Sequence, residues 1–144
     1  MKKIFLIIII FLCGCSNNII SKIEMNNYNC KIINDIDTHS GFLNDGTYFA
    51  KIKCMNINYN KLSNNWKKLP LSDSLKMIND MEYCDKEGCF NIYEKYNIPN
   101  ITNGYYYFID KNNIEYEYYI TSLNFILALL DKDTNIIYYY ELDS

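Results

Sequence analysis

The sequence predicts an α+β domain: an antiparallel sheet built from hairpins, with one or two short helices on one face. Three observations lead there. Aromatic and aliphatic runs separated by short polar turns fill residues 105–142. Two partly apolar runs flank the turn-rich stretch "DTHSGFLND" nearer the start. Between these halves, "LSDSLKMINDM" repeats apolar residues at helical spacing.

Taken in order, the first element is a hairpin of "NCKIINDI" and "GTYFAKIKC". A turn centred on Phe42 runs the two segments antiparallel and sets Cys30 opposite Cys54. Next, Tyr59, Leu62, Trp66 and Leu69 fall at helical spacing, although the asparagines around them are weak helix formers. A second helix is better specified. Ser72 is a good N-cap after Pro70 and Leu71, and Leu71, Leu75, Ile78 and Met81 share one face. "YYYFID", 105–110, is a strand bounded by Asn103-Gly104 and by Lys111-Asn112-Asn113. "SLNFILALL", 122–130, is apolar on both alternating faces, as suits a central strand covered on both sides. "DKDTN" then turns the chain, and "IIYYYEL", 136–142, returns as the partner strand of a tight hairpin.

The opening, "MKKIFLIIIIFLCGCS", has a different character. Lys2 and Lys3 precede an unbroken apolar run from Ile4 to Leu12, followed by small and polar residues. That layout is a secretory leader. The run is shorter than the ~20 residues a spanning helix needs. Within it, "LCGC", Leu12 to Cys15, resembles the lipobox of bacterial lipoprotein precursors. Leu12, Gly14 and Cys15 match the pattern, and Cys13 is a small if uncommon occupant of its second slot. Gly14 before Cys15 fits a cleavage position, whereas Leu12 before Cys13 is too bulky. The resemblance implies cleavage after Gly14 and a diacylglycerol thioether on Cys15, which becomes the first residue. Each buried methylene contributes about 0.8 kcal/mol, so two chains on one sulfur hold stably where a single chain is marginal. The implied partner is a lipid bilayer, and the implied location is the cell envelope outside the cytoplasm. The chain then divides into a leader at 1–14, a lipidated N-terminus with a polar tether at 15–27, and one α+β domain at 28–144. That domain is of ordinary single-domain length.

The net charge is −3, and the leader carries two of the lysines, so the remainder is more acidic still. No basic stripe appears, which disfavours nucleic acid as a partner. The abundance of Ile, Asn, Lys and Tyr is what an AT-rich genome writes, and this discounts the 15 tyrosines as a sign of a glycan or peptide platform.

Four cysteines remain after the leader and Cys15: Cys30, Cys54, Cys84 and Cys89. Outside the cytoplasm, disulfides persist. The hairpin register favours 30–54, and the short "CDKEGC" segment favours 84–89. Unpaired buried thiols are the plain alternative. Zinc is disfavoured by the spacing, and no metal or other cofactor is expected.

Two stretches invite chemistry. "DKDTNIIYYYEL" starts like a calcium loop at Asp131, Asp133 and Asn135, then holds Ile136 where glycine is needed and Leu142 where a bidentate acid is needed. A hairpin turn explains it better. "DIDTHSGFLNDG" carries the single histidine, His39, with Asp35, Asp37, Asn44 and Asp45 nearby. A His–Asp pair can move protons or hold a metal. Turn chemistry alone also accounts for these residues, and no nucleophile, metalloprotease or phosphate-loop motif accompanies them. Asp37, His39, Asn44 and Asp45 therefore mark a candidate functional loop, and no catalytic residue is assigned.

The segments "DTHSGFLNDGTYF", "NNWKKLPLS", "NGYYYFID" and "LNFILALLDKDTNIIYYYELDS" resemble an uncharacterised family of bacterial proteins. In that family the first segment holds a second histidine near the position of Leu43, and a more basic stretch follows the aspartate of "YYYFIDKNN". This chain lacks both, which argues for a structural or binding role over catalysis. The resulting expectation is a membrane-anchored, non-catalytic binding module of the envelope. The alternatives are an immunity lipoprotein against a secreted toxin and a hydrolase using His39 and Asp37.

Overall fold

The computed structural model describes residues 16–39, 46–80, 82–85, 88–112 and 124–143. Period-two apolar patterning forms a six-stranded antiparallel sheet in the order β1-β2-β8-β7-β6-β3. The strands are β1 (Asn29–Asp37), β2 (Gly46–Met55), β3 (Trp66–Lys68), β6 (Gly104–Asp110), β7 (Phe125–Asp131) and β8 (Ile136–Asp143). A separate hairpin joins β4 (Glu82–Asp85) to β5 (Gly88–Asn91). Among the described residues there are also three short helices: α1 (Ser16–Lys22), α2 (Asp73–Asp80) and α3 (Ile92–Tyr96). The main sheet is open, with β1 and β3 at its edges.

The C-terminal strand does the joining. β8 inserts between β2 and β7, so it welds the N-terminal hairpin to the C-terminal one. β7 is buried at every position, and β8 at all but its ends. Such strands need cover on both faces. One face packs Phe49, Leu127, Tyr138 and Tyr140 under Leu75 of α2 and Tyr96 of α3. The other packs Ile52, Ala128, Ile137 and Tyr139 under Ile19 of α1 and Ile23 just after it. The expectation of helices on one face is thus corrected: both faces carry them.

The polar tether expected over 16–27 is corrected for the same reason. Its few apolar residues are well placed. Ile19 and Ile23 lie one helical turn apart, and Ile19, Ile23 and Met25 are all buried. The helix stops where Glu24 adopts a left-handed backbone (φ 59°), and Met25 N–H then bonds back to the Ile20 carbonyl at 2.9 Å. The indole N–H of Trp66 donates to the Ile23 carbonyl at 2.9 Å. Burial of a few aliphatic residues outweighs a polar average composition.

The predicted helix through Tyr59–Leu69 is also overturned. Only Tyr59–Lys61 makes a single 3-10 turn, capped by the Asn58 side chain on Asn60 N–H at 3.2 Å. Trp66–Lys68 then pairs with β6 as an edge strand. Asparagine side chains offer the backbone local hydrogen bonds that compete with a helix. The Trp66 ring meets Tyr107 with centroids 5.4 Å apart. The helix expected after Ser72 forms as α2.

Cys30 and Cys54 are register partners across β1 and β2, joined by a disulfide with Cα atoms 4.0 Å apart. Cys84 and Cys89 are register partners in the β4–β5 hairpin, and Cys89 is disulfide-bonded. Beyond Ile32 the β1 register slips at a bulge around Ile33. A one-residue slip exchanges the faces. Ile32 faces the α1 side opposite Ile52, but after the bulge Asp35 and Asp37 take that side, opposite Ala50 and Tyr48.

Because the N-terminal segment is part of the core, we predict that Ile23→Ala lowers the unfolding free energy by about 2–5 kcal/mol, the range for a buried isoleucine cut to alanine. Urea denaturation measures it. A loss within about 0.5 kcal/mol, the ordinary effect of a surface change, would show the segment to be a loose tether.

Candidate functional site

The bulge in β1 and the ends of β6 and β8 bring polar groups together at one end of the α1-bearing face. Glu141 is the centre. It continues the inward alternation of Ile137 and Tyr139 along β8, and its side chain is only 7 % exposed. A carboxylate so placed needs partners. Lys22 of α1 donates to both its oxygens, at 2.9 and 3.0 Å. Lys111, just past β6, bonds to Glu141 and to Asp143. The Tyr139 hydroxyl donates to Glu141 Oε2.

These contacts set the ionisation of the group. Burial pushes the Glu141 carboxyl upward, but hydrogen bonds from Lys111, Tyr139 and Lys22 outweigh it and hold the pKa at about 2, below the ordinary 4.5. Burial pulls Lys111 downward, and its bonds to Asp143 and Glu141 more than offset that, so its pKa is raised. Tyr139 is pushed up, first by burial and then by the adjacent carboxylate.

His39 joins the cluster through Asp143. Its Nδ1 lies 2.6 Å from Asp37 Oδ1 and its Nε2 3.1 Å from Asp143 Oδ2. The same Asp37 oxygen accepts the His39 backbone N–H at 2.9 Å, closing a tight Asx turn. That backbone bond, followed by the imidazole, holds the Asp37 pKa below its usual range. His39 thus works as a clamp between the end of β1 and the end of β8. Gly46 permits this arrangement: a Cβ there would lie 2.6 Å from the His39 Cα. Thr38 and Thr47 lock the strand ends, with Thr38 N–H donating to the Thr47 carbonyl and Thr47 N–H to Thr38 Oγ1, each at 2.9 Å.

Of the residues singled out in the sequence, Asp37 and His39 meet here, and Asp35 stands beside them accepting from the Tyr48 hydroxyl at 3.0 Å. Asn44 and Asp45 lie outside the described residues, as does Cys15. Lys22, Lys111, Glu141 and Asp143 were missed. Glu141 did leave a signal: it is a lone acid at an inward position of an aromatic strand, which demands a cation. Which lysines answer it depends on the fold. The "DKDTN" segment is the β7–β8 turn, where Asp131 accepts from Asp133 N–H at 2.9 Å and from the Thr134 hydroxyl at 2.7 Å. Among the described residues no group of three or more His, Cys, Asp or Glu is arranged to hold a metal ion.

Both ring nitrogens of His39 are engaged by carboxylates, and the nearby threonine hydroxyls bond to one another at 2.9 Å. The arrangement gathers charge and fixes strand ends. No family model, curated protein or solved structure matches the chain.

The depressed Glu141 pKa fixes the sign of an acid response. Its contribution is complete above about pH 4.5, the unfolded value, and is lost as pH falls through that value towards about 2. The shift corresponds to up to about 3 kcal/mol. We predict that wild-type stability declines across that window and that Glu141→Gln starts lower and declines less steeply. Urea midpoints at pH 2.5, 4 and 6 measure both. Parallel curves for the two proteins would remove Glu141 from its central place.

Proposed function

We propose that this chain is a bacterial lipoprotein, anchored by acyl chains on Cys15, whose α+β domain is a non-catalytic binding module facing the cell envelope. The observation that carries the reading is "LCGC" at Leu12–Cys15, placed at the end of a short basic-then-apolar leader. These residues lie outside the described structure. Among the described residues no helix is long and apolar enough to cross a membrane. The Cys30–Cys54 disulfide supports an oxidising setting, since such bonds rarely persist in the cytoplasm. Cys84–Cys89 is the matching second bridge, consistent with their facing register. The resemblance of the later segments to an uncharacterised family brings no activity with it.

A binding role is supported by the occupancy of His39. A general base needs a free nitrogen near the proton it takes. Here both nitrogens face carboxylates within the domain. The proposed contact surface is the β1 edge, where Ile33 and Ile36 are about half exposed beside the 37–46 segment. The partner is a protein or another envelope component; nucleic acid is disfavoured by charge. A protein toxin partner would make the chain an immunity lipoprotein. The hydrolase reading rests on the short Asp37–His39 contact, 2.6 Å.

Two outcomes test the proposal. Metabolic labelling with a fatty-acid probe should mark the wild type and leave Cys15→Ala unlabelled and released from the membrane fraction. An unlabelled wild type would end the lipoprotein reading. His39→Ala should lower the melting temperature by several degrees, because it removes the clamp at the ends of β1 and β8. A variant with unchanged melting but an abolished hydrolytic activity would favour the enzyme instead.

A further inference from the structure

We infer that the domain sits on its bilayer without a spacer: α1 holds it directly at the lipid surface, with the α1-bearing face toward the membrane and the α2–α3 face away from it. This rests on the lipid anchor proposed above. Cys15 is joined to Ser16, the first residue of α1, by one peptide unit. From there the chain is fixed almost at once. Ile19, Ile23 and Met25 are buried against the sheet. Lys22 is paired with Glu141, the Ile23 carbonyl accepts from Trp66, and Glu24 accepts from Asn65 at 2.7 Å and from the Tyr107 hydroxyl at 3.2 Å.

Geometry then limits the reach. Ser16 and Ile19 are three positions apart, about 4.5 Å of helix axis, and Cys15 is one Cα step, about 3.8 Å, before Ser16. The same chain drawn out from Cys15 to Tyr28 would span roughly 40 Å. The acyl-bearing sulfur therefore stays close to the face that holds Ile52, Ala128 and Tyr139, and the second hydrophobic layer under α2 and α3 lies across the sheet from it. The lipid surface is the occupant because the anchor leaves from that face. A partner arriving from outside meets the α2–α3 face and the β1 edge.

Trp66 supplies the probe, being the single tryptophan and bonded to the α1 backbone. Mature lipidated protein, from Cys15 onward, is inserted into preformed phosphatidylcholine–phosphatidylglycerol vesicles whose outer leaflet carries dansyl-labelled headgroups. We expect strong energy transfer from Trp66. A flexible Gly-Ser spacer of about a dozen residues between Cys15 and Ser16, long enough to add some 20 Å of mean reach, should cut it severalfold while flotation with the vesicles is unchanged. Adding Lys76→Trp on α2 should lower the mean transfer efficiency, since that donor lies across the sheet. With flotation intact, equal transfer with and without the spacer would overturn the docked anchor, and a higher efficiency on adding Lys76→Trp would overturn the orientation. Failure of the wild type to float would instead remove the lipid anchor itself, and this inference with it.

Discussion

β7 and β8 are apolar on both faces, and that single fact requires the chain to build two hydrophobic layers from few residues. The middle of the chain supplies one cover, in which Leu75, Ile92 and Tyr96 reach down from α2 and α3. Something must likewise cover the other face, where Ile57, Tyr59 and Leu62 pack only as partly buried residues. The segment before β1 does so, with three buried aliphatic side chains and one indole-to-carbonyl bond. The start of the described chain is therefore committed to the core, not free in solvent.

Charge follows from that commitment. α1 brings Lys22 over a face whose last buried residue on β8 is Glu141, and Lys111, just past β6, reaches the same carboxylate. A buried acid without cations would cost several kcal/mol, and two ammonium groups with a phenol convert that cost into a tie among α1, β6 and β8. Asp143 and His39 carry the tie onward to β1. Charge–charge contact thus closes one end of the sheet, and the Cys30–Cys54 disulfide closes the β1–β2 pair at its other end.

The site's economy shapes what the domain can be. A histidine between two carboxylates looks like catalytic machinery in isolation, but each of its contacts here also holds a strand end. The β1 bulge is the device that makes this work, since it rotates Asp35 and Asp37 onto the α1-bearing face and leaves Ile33 and Ile36 exposed. Bulges at sheet edges re-aim side chains and interrupt pairing. Here one bulge both completes the charged cluster and leaves an apolar edge for a partner in the binding module proposed above.

Local patterning was enough for much of this. The strands 105–110 and 136–142, the helix after Ser72 and the Cys30–Cys54 pairing follow from alternation, capping and turn position, because those signals act within a few residues of each other. The turn-centred register held from Asn29 to Ile32 and failed past the bulge, which no local pattern announces. Tyr59–Leu69 misled because helical spacing of four residues does not reveal that Trp66 has a strand partner and an α1 carbonyl waiting elsewhere. Asp37 and His39 were visible as neighbours in sequence. Asp143, Lys111, Glu141 and Lys22 were not, since their contacts to the cluster span tens of residues and exist only once β8 lies between β2 and β7. Sequence by itself determined the hairpins and a demand for cover on two faces. Tertiary structure decided that α1 provides that cover, because only packing assigns distant side chains to a shared face.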